Sequence, residues 1–581
     1  QIEPYSLERI EVLKGPASVL YGHNQPGGIV NLVGKRPTAA PLHEVVLGTG
    51  SYDRKYGAFD FAGPIDDQGE FLYRLTGLAS DANSNIDYVE SNRMLLAPSL
   101  TWLPNDRTSV TLFAQYQKDR DTPEAQGLPA EGTVFDSPNG KISRDLFLGE
   151  PGLNKYDREQ FVMGYDVAYE LNDIWTLKQR TSYAYLDDQY VAPLHGYSYA
   201  TNPDTGLDDN RYQNRYGVDW SQTNKVYGID STAQAKFKTG ELDHTVLLGV
   251  DYYHFNSKFY GLYDRSGPPL DLYNPIYGSE FTFTQPYRWD NTIKQTGLYV
   301  QDQMKWDKWF LTLGGRYDYA ITENAQPGSG AADTRSTDEK FTGRAGLGYM
   351  FENGLTPYVS YSESFLPQAG VDIDNQSFKP TEGKQYEAGV KYEPTAIDGF
   401  IQLSVYQIDQ ENMLTNDLDN PGRSIQSGSV RSRGVELESK SSIDNVDILA
   451  AASYMDSFYT KDTWGNEDNR NEAQSPVSAS MWVDYHFTQA TLNGLTFGAG
   501  ARYTGRKPGD AANSFDVPSW VVYDATVSYD MGKLDPSLRG LQTRLNVQNI
   551  FDREYVSDCN YSFGCYYGQE RVASVEMTYD W

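Results

Sequence analysis

The chain is dominated by short runs in which apolar and polar residues alternate with a period of two. In RVASVEMTYDW, Val575, Met577, Tyr579 and Trp581 fall on one face, with Ser574, Glu576, Thr578 and Asp580 on the other. LTFGAGARY sets Leu495, Phe497, Ala499, Ala501 and Tyr503 against small or charged residues. QYEAGVKYE sets Tyr386, Ala388, Val390 and Tyr392 against Glu387 and Lys391. No stretch holds a helical apolar period, so the pattern predicts strands. The connections alternate between two classes. Short turns are expected at 64–70, 103–107, 171–173, 239–243, 307–308, 352–354, 395–399, 443–445, 488–494 and 533–540. Longer polar connections are expected near 50–54, 81–92, 121–157, 193–215, 261–286, 324–338, 365–382, 412–430, 458–474, 505–517 and 558–566. Ten turns and eleven loops imply twenty-two strands. An even strand number, with short turns on one rim and long loops on the other, predicts an all-β fold: a 22-stranded antiparallel transmembrane barrel. A cylinder this wide cannot be filled by side chains, so its lumen is either plugged or open.

Composition fits that picture. Hydrophobic residues make up 39% of the 581 and no run of 18 apolar residues occurs, which excludes a helical membrane protein. The 45 Tyr, 52 Gly and 28 Pro belong to strands and turns. A barrel needs apolar residues on its lipid face only, so a mean hydropathy of −0.60 is compatible with one. The net charge of −30 argues against nucleic acid as a partner, because phosphate binding needs clustered Lys and Arg.

Enzyme chemistry finds no foothold. The zinc-protease, nucleophile-elbow, phosphate-loop and dinucleotide motifs are all missing. The six histidines, His23, His43, His195, His244, His254 and His486, show no metal-ligand spacing. The two cysteines, Cys559 and Cys565 in CNYSFGC, suit a small closed loop, and no second pair exists to complete a zinc site. They read as a disulfide, hence an oxidising compartment.

One segment carries a resemblance. SLERIEVLKGPASVLYGHNQPGGIVNLVGKRP (6–37) resembles the second half of the plug domain of TonB-dependent receptors, which closes outer-membrane barrels. The expected division is therefore the C-terminal part of a plug at 1–38 and the barrel at 39–581. Further stretches, among them DHTVLLGVDYY, KQTGLYVQDQMKWDKWFLTLGGRYDYA, GKQYEAGVKYEP and NIFDREYVSDCNYSFGCYYGQER, are similar to the ferric-hydroxamate branch of siderophore receptors, the ferrichrome and ferrioxamine type. The resemblance implies a bacterial outer-membrane location among lipid and lipopolysaccharide. The implied cargo is a ferric siderophore, with iron arriving inside its chelate and no resident cofactor. The implied energy source is the TonB–ExbB–ExbD complex, acting on a motif ahead of the plug that would precede Gln1. The long loops also leave docking of a phage or bacteriocin open.

The resemblance also names site residues. Glu387 and Glu436 alternate with lipid-facing neighbours and so point into the lumen, where carboxylates need cationic partners. In the family, plug arginines pair with barrel glutamates at these two positions. Arg9 and Lys14 are the candidates here, and Lys14 stands where the family's RGP motif has arginine, so it lacks the bidentate fork. Ligand-facing aromatics are expected at His195 and Tyr197 in HGYSY, Tyr260 and Tyr263 in FYGLYDR, and Tyr566 and Tyr567 in GCYYG. Ala125 and Gly127 stand where ferrichrome-type receptors carry aromatics, which leaves ferrioxamine-like ligands open. Haem uptake by the same fold, a passive porin and a barrel hydrolase are the alternatives. The absence of an NPNL-type haem motif, the plug segment, and the lack of a nucleophile–base pair weigh against each in turn.

Overall fold

A computed structural model describes every residue except 1, 125, 329, 331, 418–419, 421–423, 463–464 and 490; the side chains of 415, 416 and 427 also lie outside the description. Among the described residues, twenty-two long antiparallel strands form one closed barrel. Each strand pairs with its neighbours in sequence. The cylinder closes where Val572–Asp580 pairs with Leu42–Gly50, in the register Ser574↔Gly50 to Asp580↔Glu44. Closure leaves no free sheet edge, the condition for strands to cross lipid.

Alternation decides which face meets lipid. On Thr381–Tyr392, Tyr386 is 56% exposed outside, while Gln385 and Glu387 face the bore. Leu298, Val359, Leu403 and Val405 likewise stand exposed on the outer wall. Aromatic groups gather at the rim of short turns: Trp309 with Tyr349, Tyr349 with Phe351, Phe71 with Trp102, and Tyr485 with Phe487. That arrangement is the interfacial girdle of a membrane barrel. His43 joins it, stacked on Trp581 at 5.4 Å.

The ten short turns fall where the alternation placed them. The long loops differ in one respect. Trp175–Ala200, Tyr212–Thr239 and Leu242–Asp264 run for 26, 28 and 23 residues, so the connections expected at 193–215 and 261–286 are sheet at their ends, and the loops proper begin later and end earlier. An apolar band about 25 Å tall needs only about ten tilted residues, so these ribbons rise far above the membrane. Their Tyr- and Trp-rich sequences and hydrogen-bonded neighbours on both sides sustain the sheet there.

Inside the bore, Leu7–Lys14 and Gly28–Gly34 form a separate antiparallel pair joined through a four-residue helix, Ser18–Tyr21.

Candidate ligand chamber and plug latch

The plug hairpin is fitted to the inner wall at three places. The first is its tip. Gly15 sits at φ +76°, and a Cβ there would lie 2.0 Å from the Gln385 side chain, so the close approach requires glycine. Gly22 approaches Arg316 in the same way. The Ser18 hydroxyl accepts from the Phe365 amide at 3.0 Å, the Asn24 amide donates to the Phe365 carbonyl at 3.2 Å, and His23 packs at a tilt against Tyr253 with ring centres 4.2 Å apart. These wall residues face inward, so the segment lies in the bore.

The second place is Lys14. Its ammonium meets Glu436 at 2.7 Å and also pairs with Glu438. Arg9 does not take part: it bonds Glu11 on its own strand at 2.6 Å. Glu387 accepts instead from Tyr358 and from Gln385 at 2.7 Å, and so braces the amide that packs on Gly15. Of the four residues expected in the latch, only Lys14 and Glu436 touch. The reason is reach. Arg9 lies five residues from Lys14, and its fork already has a carboxylate two residues away.

The third place lies at the other end of the hairpin and was missed from sequence. Lys35 meets Asp60 at 2.6 Å, Arg74 bridges Asp60 at 2.7 Å and Glu8 at 3.2 Å, and Arg36 meets Asp166 at 2.5 Å. Two adjacent cations leaving the plug motif (KRP) were the available signal.

Above the membrane the long ribbons build a chamber. His195 stands twenty residues beyond Trp175, where its strand begins, roughly 50 Å from the short-turn rim at a 40° tilt. Its Nδ1 lies 2.9 Å from the Tyr561 hydroxyl, and Tyr561 packs on Tyr197 with ring centres 5.1 Å apart. Burial pushes the His195 imidazole down to about 4, so it is neutral at pH 7. Tyr216 lies beside Tyr197, Tyr263 and Tyr190, and Tyr566 beside Tyr197 and Tyr190. Trp220 packs on Tyr190 at 5.5 Å and on Tyr263 at 6.1 Å.

His195, Tyr197, Tyr263 and Tyr566 therefore come together, joined by Tyr190, Tyr216, Trp220 and Tyr561, which sequence reading did not single out. Tyr260 is a correction. Because residue 260 lies in a strand, alternation turns it away from the face of Tyr253, Ser257 and Tyr263, and the Arg288 guanidinium covers its ring at 4.4 Å. Tyr567 is a structural residue: its hydroxyl donates to the Ile142 carbonyl at 2.8 Å and its ring packs on two buried apolar clusters.

Those clusters hold the chamber's roof. Leu128, Ile142, Leu146 and Leu148 from 122–154 pack with Leu270 and Leu272. Ala130 packs with Val517, Val556 and the Cys559–Cys565 disulfide. Arg215, fully buried, meets Glu150 at 2.7 Å and donates to the Leu148, Gly149 and Pro268 carbonyls. Gly127 backs directly onto His195, where a Cβ would fall 1.9 Å from the imidazole. Ala125 lies outside the described residues.

A closed lipid-facing barrel with a wedge docked in its bore and an aromatic chamber above it defines a gated outer-membrane receptor. Residues 96–550 match the family model "TonB dependent receptor-like, beta-barrel", and residues 1–29 match "TonB-dependent Receptor Plug Domain". The chain belongs to the TonB-dependent receptors of the outer membrane, a family of receptors and transporters and not of enzymes. It is 40% identical over 600 residues to the ferrichrome outer membrane transporter/phage receptor of Escherichia coli K12, covering 100% of this chain and 79% of the relative. It is 37% identical over 585 residues to the ferrioxamine B receptor of Salmonella typhimurium, covering 100% and 81%. In fold it is similar to the siderophore receptor PiuA of Acinetobacter baumannii, with TM-score 0.87, 22% identity, and coverage of 100% of this chain and 87% of that one.

Proposed function

We propose that this receptor captures a ferric hydroxamate siderophore, of the ferrioxamine or ferrichrome kind, in the chamber and imports it past the plug with energy from TonB, ExbB and ExbD. The observation that carries the reading is the convergence of His195, Tyr197, Tyr216, Tyr263, Tyr561 and Tyr566 from separated parts of the chain above a docked plug. The names of the relatives, which are receptors for ferrichrome and ferrioxamine, support the ligand class.

A tris-hydroxamate surrounds ferric ion with its own oxygens. The protein therefore needs aromatic and hydrogen-bonding walls and no metal ligand, and iron is cargo. Scarce cargo demands tight capture. A dissociation constant of about 1 nM, roughly −12 kcal/mol, with an on-rate near 10⁶ M⁻¹s⁻¹ implies release at about 10⁻³ s⁻¹. Passage inward is blocked by the wedge, so work has to be done on it. The fixed ends of the hairpin, Lys14 on Glu436 and Lys35 on Asp60, are where that work is resisted. Titrating purified protein with ferrioxamine, ferrichrome and haem tests the ligand class. Nanomolar binding of a hydroxamate and none of haem is expected; haem binding alone would overturn the reading.

The outer loops also offer a docking surface for phage or bacteriocin. A relative described as a phage receptor, and a fold neighbour solved with pyocin S2, support that use.

A further inference from the structure

One seam of the cylinder is short. Thr334–Tyr349 and Leu355–Leu366 pair over only five residues, from Gly348↔Tyr358 to Arg344↔Ser362. Among the described residues this is the shortest ladder between long strands of the wall. Each strand stays paired with its other neighbour along its full length, up to Asn324↔Thr334 on one side and Leu366↔Thr381 on the other. Above Arg344 the two strands therefore part and leave a slot. Arg344 stands five residues from Tyr349 at the short-turn end, roughly 13 Å up at a 40° tilt, so the slot opens about halfway across the apolar band. Unpaired backbone is costly at that depth, and something has to satisfy it.

On one edge the plug does so. Continuing the register would set Gly343 against Glu363, Thr342 against Ser364 and Phe341 against Phe365. In an antiparallel ladder a closely bonded pair exchanges both N–H and C=O. Phe365 makes that exchange with the plug: its amide donates to the Ser18 hydroxyl at 3.0 Å, and its carbonyl accepts from the Asn24 amide at 3.2 Å. Ser18 and Asn24 thus take the two positions that the Phe341 carbonyl and amide would fill. Lower in the slot, the Gly343 amide donates to the Glu363 side chain at 2.8 Å, a substitute for the Glu363 carbonyl. Pro26 packs on Gly383 beside Ser364. Between these two rungs the buried hydroxyls of Thr342 and Ser364 have no hydrogen-bond partner among the described residues. The continued register makes them direct neighbours, and opposed Thr and Ser side chains hydrogen-bond.

We propose that plug segment 18–26 is a removable rung of the wall, and that its withdrawal lets the two strands zip upward through Gly343↔Glu363, Thr342↔Ser364 and Phe341↔Phe365. The slot closes behind the departing plug. The pairs gained replace the plug's bonds to Phe365 and give the two stranded hydroxyls partners, which lowers the work needed to move the wedge. The inference goes beyond the siderophore reading and rests on its claim that the plug is worked from its seat.

The test is disulfide trapping in cells that express this receptor, with iron uptake from a ferric hydroxamate followed in the same variants. Thr342→Cys/Ser364→Cys reads the slot, and Phe341→Cys/Phe365→Cys reads it one rung higher. Gly346→Cys/Ser360→Cys is the control for a folded seam: a Cβ at Gly346 lies 4.0 Å from that of Ser360, so this pair should cross-link in all cells. With siderophore and TonB present, the slot pairs should cross-link at least about fivefold faster than in cells lacking TonB, because the bond forms only when the Cβ atoms approach to about 4 Å. Slot pairs that cross-link equally with and without TonB, or in neither, while the control forms and iron is taken up, would overturn this inference and leave the siderophore reading intact. No TonB-dependent uptake by the unmodified receptor would overturn both.

Discussion

The Lys14 ammonium at the plug tip lies 2.7 Å from the Glu436 carboxylate on the barrel wall, a contact across 422 positions of sequence. Glu438 shares the same cation, so the latch is one lysine held by two carboxylates. Both partners keep some solvent contact, and pairs of this kind are worth up to about 1 kcal/mol each. Replacing Glu436 and Glu438 together with Gln should loosen the tip. A cysteine placed at Val19, which is buried against the wall, should then react with maleimide roughly fivefold faster. An unchanged labelling rate would show that the wedge is held elsewhere.

His195 links the roof to pH. Burial lowers its folded value below the ordinary 6.5 of the free imidazole, so the opened roof binds a proton more readily than the closed one. The stabilisation is complete above about 6.5 and is lost as pH falls from there towards 4. Limited proteolysis of the outer loops should accelerate between pH 7.5 and 5 in the unmodified protein. In His195→Gln that acceleration should be much weaker; an identical pH dependence would remove His195 as its source.

Arg215 is a buried cation with one buried carboxylate partner. Removing one member of such a pair strands the other, at a cost of about 3–5 kcal/mol. Arg215→Ala should therefore release the segment 122–154 from the roof while leaving the membrane barrel closed. Hydrogen exchange should show lost protection confined to the roof and the upper ribbons. Protection unchanged there would mean that the leucine cluster alone holds the segment.

The Cys559–Cys565 bond closes a short loop that carries Tyr561 and borders Tyr566. A loop this short gains about 2 kcal/mol from the cross-link. The double Cys→Ser variant should keep its folded barrel yet bind siderophore about threefold to tenfold more weakly, because Tyr561 is no longer held on His195. Equal affinity would place Tyr561 outside the binding surface.

Much of the fold could be read from the chain because a lipid-spanning sheet leaves a period-two signature and its two rims require different connections. The plug segment was legible for a related reason: Gly15 and Gly22 sit where only glycine fits. The chamber was harder. Tyr260 was misjudged because the face of a residue depends on whether it lies in a strand, and the ribbon extends well past the membrane. Tyr561, Tyr216 and Trp220 escaped notice among 45 tyrosines and ten tryptophans, since their pairing with distant partners depends on long-range register. Gly127 shows how a departure from pattern acquires a reason: any side chain there would displace His195. Asp60 and Asp166 gave no local cue at all, because their plug partners lie on another element of the chain.

The central claim is that cargo enters only when the wedge is actively worked. The most direct measurement follows radiolabelled iron, supplied as a ferric hydroxamate, into cells whose own hydroxamate receptors have been deleted and which express this receptor. Uptake should appear with the receptor, saturate at nanomolar chelate, and vanish when TonB is deleted or the proton gradient is collapsed. Uptake that persists without TonB, together with steady ion conductance of the purified barrel in planar bilayers, would contradict the account.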